Sequence, residues 1–561
     1  MHVAWTLPEI VEQIFSELDD GDNEPPRLTG RPSRNGSLTA LVRTCKNFKL
    51  PAINELWASA SADTLLRYII PHILVIDSGG KKERITNMKP LSATDEANLC
   101  EYSCAIRTLT FSSAVPVDAP VLQALVSSPD MVSKIFPRLG HLNIEFWSAP
   151  LVPHYLAFLA RIQHLSVSSY GQAEECRVAA DFLELMAGQR SDLRGLELMY
   201  PLSRFESAHE GHCQCRKRYM ELVRRFAHLQ SFVGSELDHV TAQHLSCLPT
   251  LEFLKVMFPV RGVAALPSVS LAFPALVAVD LSATLCSDVL EFLHKFSRFP
   301  PTLHITSVTR PTLQESEQLF SAISTTSSPI DGVEGLRLDC KQSGYAFTEL
   351  GVSATLHSLS PLLTYASLRV VDWRFTCPVA LSNADLAEMG RAWPLLEELR
   401  LIDEHPATTA STTLDGVFAL AKLCARLQHL ALPVDVSVVD HIPLHDPANG
   451  LRHERLKSLN VGCSRMVPGC CVNLAIIFAQ VFPSLQTVGL VAETGRSGAG
   501  RKASLDAQLN DALGILRLAR KEGRIALWTG EDVRLMLIPY FGVSPAPQRR
   551  MSRSGSIHRR R

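Results

Sequence analysis

The chain has 561 residues, 55 of them Lys or Arg and 56 Asp or Glu, for a formal net charge of −1. That balance leaves no overall positive field to hold a polyanion, which argues against a general nucleic-acid binder. With 46% hydrophobic and 20% charged residues the chain is one that folds, and its fourteen cysteines are too dilute for a disulfide scaffold. The N-terminal MHVAWTLPEIVEQ has neither a basic stretch nor a long apolar run, and the longest apolar stretches, 68–76 and 535–543, contain Pro and fall short of the ~20 residues a membrane span needs. The composition predicts a cytoplasmic or nuclear protein with reduced thiols and no membrane or nucleic-acid partner.

Thr6-Leu7-Pro8-Glu9 has the form of a capping box, and Pro8 is tolerated because first-turn amides have no partner within the helix. Ile10, Val11, Ile14, Phe15 and Leu18 then follow at helical spacing and form one face. Residues 19–36, with three Gly and three Pro, read as a loop. A second helix starts at Ser37 and aligns Leu38, Leu41, Val42 and Cys45; a third, from about Phe48, aligns Ala52, Ile53, Leu56 and Trp57. Three short helices make a core that is marginal alone, so these residues either cap the following domain or gain stability on a partner.

The segments LPEIVEQIFSEL, LTALVRTCKNF and PAINELW resemble an F-box, through the Leu-Pro opening, the Val-Arg-Thr-Cys-Lys-Asn-Phe stretch and the closing Leu-Trp. The resemblance spans roughly residues 5–60. Glu9 follows Pro8 one residue sooner than in the commonest form, and the 19–36 loop is unusually long. The resemblance implies a three-helix module over 1–60 that binds the Skp-type adaptor of a cullin–RING ubiquitin ligase, with Leu7, Pro8, Ile10, Ile14, Leu41 and Trp57 as the contact or support set.

Residues 61–103 read as a connecting helical segment. From Cys104 to about residue 495 the pattern L-x-x-L-x-L recurs, with aliphatic or aromatic residues at its three marked places. Full copies begin at Ile106, Leu139, Ile162, Leu193, Leu251, Leu276, Val333, Leu368, Leu396, Leu427, Leu456 and Leu485, and weaker ones lie at Leu229 and around Leu303 and Ile305. The mean spacing of about 29 residues lies in the leucine-rich-repeat range. Alternation within a copy, as in Leu399-Arg400-Leu401, is a strand signal. Helical segments such as 181–189 and 386–393 lie between copies, several closed by an aromatic-Pro pair: Phe136-Pro137, Phe273-Pro274, Trp393-Pro394 and Phe482-Pro483. Proline disfavours helix at the residue before it, and the aromatic can plug the gap between helix and sheet.

One copy supplies about three buried aliphatics at roughly 1.5–3 kcal/mol each, too little to offset its own ordering, whereas a stack shares buried faces. The predicted fold is an α/β repeat solenoid with a parallel inner sheet and outer helices. Leucine-rich repeats usually carry Asn or Cys three places after the third Leu, bonding to loop backbone. Here Trp147, Tyr170, Thr284, Glu404 and Ser464 stand there, so the array resembles the irregular repeats that follow F-boxes. The competing reading is an α/β domain with similar buried strands.

Other motifs are weaker. His209-Glu-Gly-His212-Cys213-Gln-Cys215 is metal-like but lacks zinc-finger spacing, and reads as a polar loop between repeats; no metal and no cofactor is expected. Gly495 to Lys502 approaches a phosphate loop with Arg501 where the lysine belongs, and reads as a flexible loop. Residues 496–530 hold a capping helix near 505–520, residues 531–545 a final apolar segment, and 546–561 a basic tail with six Arg that reads as disordered. No catalytic constellation is legible, so the chain is not expected to be an enzyme. The reading is a substrate-recruiting subunit of a cullin–RING ligase, or alternatively a repeat scaffold outside such ligases. The target protein would meet outward strand residues, with Glu197, Lys255, Asp280, Arg337, Asp372 and Arg400 at the place between the last two marked positions.

Overall fold

The computed structural model describes residues 46–518 apart from 71–73, 78–82, 88–91, 127–128, 146, 170–172, 191, 200–209, 236, 258–269, 327–331, 341–350, 404–409, 438, 440, 463–470, 490–506 and 508. The chain divides into two compact units, Met1–Ser282 and Ala283–Arg561, so the repeats read as one array are shared between them.

The first unit carries β1 (Ser59–Ser61), β2 (Leu74–Asp77), β3 (Glu83–Asn87), β4 (Thr108–Phe111), β5 (His141–Ile144), β6 (His164–Ser168), β7 (Gly195–Met199), β8 (Ser231–Gly234), β9 (Phe253–Met257) and β10 (Ala278–Ala283). Strand β1 and strands β4 to β10 pair in that order, every pair parallel. The second unit carries β11 (Thr302–Ser307), β12 (Gly335–Cys340), β13 (Val370–Phe375), β14 (Glu398–Asp403), β15 (His429–Ala431), β16 (Ser458–Asn460) and β17 (Thr487–Gly489), again parallel throughout. Each unit is therefore a stack of α/β repeats with helices or short helical turns on the connections, the predicted solenoid architecture.

The repeat motif sets the register. Apart from β11, each strand from β4 onward begins two residues after the first marked position; β11 holds the weak copy at Leu303 and Ile305. One bond pattern recurs from rung to rung within each unit: the carbonyl just ahead of a strand accepts two consecutive amides of the next copy. Arg107 accepts from Gly140 and His141, Gly140 from Gln163 and His164, and Glu397 from Gln428 and His429. Parallel sheets need long crossovers, and the outer helices supply them while covering the marked aliphatics. Leu109, Leu142, Leu254, Leu336, Leu399 and Leu459 are all buried.

The same pattern reveals a rung that the hydropathy does not. The Ala58 carbonyl accepts from Arg107 and Thr108, and Ala60 pairs with Leu109. Trp57, Ala60 and Ala62 thus occupy the three marked places of an extra leading copy, in which two alanines stand where the others have long aliphatics. The helix Lys46–Leu56, predicted from about Phe48, runs directly into this rung. The expectation of a purely helical connection over 61–103 is corrected: besides the helices Ala62–Ile69 and Ala93–Ser103 it contains β2 and β3, an antiparallel pair with a register shift at Leu74/Val75.

Three of the aromatic-Pro pairs close helices, Pro129–Ile135, Asn383–Ala392 and Cys471–Val481, and place Phe136, Trp393 and Phe482 in the core. The Trp393 indole also donates to the Leu362 carbonyl at 3.0 Å. Phe273 departs from this: no described helix ends there, and the residue adopts φ 39°, rare for an aromatic, while its amide bonds to the Ser246 carbonyl at 3.0 Å. The helix expected near 505–520 is described over 509–518, with Leu509, Ala512, Leu513 and Leu516 buried. Asn510 accepts from the Val488 amide and donates to the Val488 carbonyl, both at 2.8 Å. A side-chain amide thus takes the place of a neighbouring strand at the edge of β17.

Candidate functional site

Strand alternation divides the side chains. The second and third marked residues point under the helices, so the residues two and four places after the first marked position lie on the opposite, open face of each sheet. In the first unit one row on that face runs Thr108, His141, His164, Gly195, Ser231, Phe253, Ala278. The next row runs Thr110, Asn143, Ser166, Glu197, Val233, Lys255, Asp280. His141 and His164 are neighbours with rings 5.9 Å apart, and burial holds both imidazoles below the usual histidine value. The His164 ring lies over Gly195, where a Cβ would stand 2.0 Å from Nδ1. Lys255 Nζ meets Asp280 Oδ2 at 2.7 Å.

The second unit concentrates charge. His304, Arg337, Asp372 and Arg400 are register partners in one row of β11 to β14. Glu398, two residues before Arg400 and on the same face, is the hub. Its Oε2 accepts from Arg337 Nη2 at 2.6 Å, across the intervening strand, and its Oε1 lies 2.9 Å from Arg400 Nε. Arg400 Nη1 stands 3.7 Å from Asp372 Oδ2. At one end of the row, His304 Nε2 and Asp339 Oδ2 are 2.9 Å apart, and that bond draws the Asp339 carboxyl below the usual carboxylate range. Asp372 behaves oppositely: burial raises its carboxyl, only partly countered by Arg400.

Depth separates two of the acids from the arginines they hold, while Asp339 stays 56% exposed. The Asp372 and Glu398 side chains are each 10% exposed, whereas Arg337 is 49% and Arg400 40% exposed. Arg374, also on this face, has a buried Nε with no hydrogen-bond partner and makes no ion pair among the described residues.

All six strand positions expected to meet a target thus lie on the open faces, in two groups: Glu197, Lys255 and Asp280 in the first unit, and Arg337, Asp372 and Arg400 in the second. The sequence reading missed Glu398, Asp339 and Arg374 because it sampled a single place per copy, and extending the period-2 alternation two residues either way finds them. It missed His304, which stands at the sampled place, because the copy at Leu303 and Ile305 is weak.

Other expected positions fall elsewhere. Leu7, Pro8, Ile10, Ile14 and Leu41 lie outside the described residues, as do the 19–36 loop, the 495–502 loop, 531–545 and the basic tail. Trp57 is half-buried, with its ring centroid 6.1 Å from that of Tyr102. The polar loop expected around His209 to Cys215 is corrected to a helix, Glu210–Val223, which carries His212, Cys213 and Cys215; His209 lies outside the described residues. Among the described residues no group of three potential metal ligands gathers, and no helix is long and apolar enough to cross a membrane. Of the sites expected to carry a repeat asparagine, Trp147 is buried and its indole donates to the Ser168 carbonyl at 2.9 Å, a bond to backbone of the kind the asparagine makes. Tyr170, Glu404 and Ser464 lie outside the described residues.

No protein-family profile matches the chain, and no curated protein matches it in sequence. Among solved structures, the chain is similar to one in the Rad7 and Elc1 complex of yeast, at 12% identity over 72% of this chain and 90% of that one, with a TM-score of 0.27.

Proposed function

We propose that this protein is a substrate-recruiting subunit of a cullin–RING ubiquitin ligase: its N-terminal segment holds a Skp-type adaptor and the open strand faces hold a target protein. The observation that carries the reading is an F-box-like sequence over residues 5–60 running directly into a parallel repeat stack. The chain itself performs no chemistry in this scheme. By tethering the target beside a separate ubiquitin-transferring enzyme, it raises the effective concentration of the target lysine. A polar open face with both charge signs suits selective protein recognition.

One observation favours the alternative of a repeat scaffold outside such ligases. The last helix of the F-box-like segment continues into the leading rung of the sheet, and Trp57 sits against Tyr102 of its own chain, as a cap would. Affinity capture separates the two readings. The full chain should co-purify with the adaptor, and a Leu7→Asp/Pro8→Asp variant should lose it while keeping its thermal transition. No adaptor on the parent chain ends the ligase reading.

A further inference from the structure

We infer that His141 and His164, side by side on the open face of the first unit, bind one divalent transition-metal ion of the zinc and nickel class through their imidazole nitrogens. The inference depends on no ligase partner, and it adds a site that no motif in the sequence signals.

The sheet supplies the geometry. The two histidines stand one repeat apart in sequence, yet they are register partners on the parallel strands β5 and β6. Their ring centroids are 5.9 Å apart, and both residues are half-exposed. With metal–nitrogen bonds of about 2.1 Å and tetrahedral angles, two imidazole centroids stand roughly 5 Å apart. Side-chain torsion within the existing rotamer wells closes the remaining gap of about 1 Å. Gly195 orients one ring: a Cβ there would stand 2.0 Å from His164 Nδ1 and 2.9 Å from Cε1 and Cγ, so Nε2 is the nitrogen turned away from β7.

The nitrogens are also available. His244, His304, His441 and His453 each bond to an oxygen of the protein, whereas neither ring of this pair has a hydrogen-bond partner among the described residues. Burial holds both imidazoles below the usual histidine value, so at neutral pH their lone pairs are open without loss of a proton. Glu197 acts on His141 and Arg194 on His164, one charge of each sign, so binding comes from the nitrogens and not from the local field. No third His, Cys, Asp or Glu gathers with the pair among the described residues, which leaves the ion's other positions to water. Asn143, two residues along β5 on the same face, has a buried Oδ1 with no hydrogen-bond partner, an acceptor for such a water.

The test is fluorescence anisotropy of a fluorescein-labelled nickel–nitrilotriacetate chelate titrated with the full-length protein. The chelate leaves two adjacent positions on nickel, so it is held tightly only where two imidazoles converge. We expect saturable binding at neutral pH with Kd of roughly 50 μM or tighter, displaced by free Zn2+. His141→Phe and His164→Phe keep a ring at each place, and each should weaken binding at least tenfold, because one imidazole alone forfeits the chelate. His164→Gln replaces His164→Phe if the phenylalanine shifts the thermal transition. His304→Phe, at a strand histidine bonded to Asp339, should stay within twofold of the parent. No saturable binding by the parent, binding that survives loss of either His141 or His164, equal weakening by His304→Phe, or no displacement by Zn2+ overturns the inference. If chelate binding fails while adaptor capture is intact, this site alone is wrong. If capture fails while the chelate binds, the ligase reading is wrong and the site stands.

Discussion

Trp147→Phe tests how an irregular repeat replaces the asparagine of a regular one. The Trp147 indole packs against Phe182 with centroids 5.3 Å apart and Tyr155 at 5.8 Å, and its Nε1 donates to the Ser168 carbonyl at 2.9 Å. Phenylalanine keeps one ring and loses the donor. An orphaned buried carbonyl costs about 1–3 kcal/mol, and the lost ring atoms leave a void worth about 1–2 kcal/mol. The first unit should therefore lose roughly 2–5 kcal/mol, and by the usual scaling of about 2–4 °C per kcal/mol for a domain of that size its transition should fall by at least about 4 °C. Trp147→Asn restores a donor but empties the aromatic box, and should be less stable than Trp147→Phe. Urea unfolding followed by far-UV circular dichroism reads both variants. A Trp147→Phe protein within about 0.5 kcal/mol of the parent, or an asparagine variant more stable than the phenylalanine one, would refute the assignment.

Asp372 gives a pH dependence of defined sign. Its folded pKa is raised by burial, so the unfolded chain releases this proton first and binds fewer protons across the window. Stability then falls as pH rises from the ordinary value of 3.8 through the raised folded value. Asp372→Asn removes that decline; thermal scans against pH should show the variant gaining on the parent above pH 3.8, and a loss at neutral pH contradicts the burial argument. Gly195→Ala puts a Cβ 2.0 Å from His164 Nδ1 and should cost about 1–3 kcal/mol. Denaturant titration of the His164→Ala/Gly195→Ala double variant should show most of that recovered; strict additivity would place the strain elsewhere. Asn510→Ala removes both bonds to Val488, at about 1 kcal/mol each, and uncovers a strand edge. A lowered transition with increased light scattering on heating is expected, and unchanged scattering would show that the edge is protected otherwise.

The repeat fold is legible in the sequence because burying one face of a strand demands residues at a fixed period, and shared faces force that demand to recur. Leu396, Leu399 and Leu401 announce β14 without any coordinates, and even the weak copy at Leu303 and Ile305 is a strand. The leading rung escaped because Ala60 and Ala62 carry too little hydrophobic signal, and its membership depends on hydrogen bonds to a segment some fifty residues away. The antiparallel β2 and β3 escaped for a similar reason: the pairing that makes them a sheet lies outside the repeat period. Periodicity assigned Arg337, Asp372 and Arg400 to the open face. Only tertiary structure sank Asp372 and Glu398 beneath the arginines and let Glu398 reach Arg337 across a strand. Which face a side chain takes is a property of local alternation. How deep it sits, and what it touches there, depends on neighbours brought together by the crossovers.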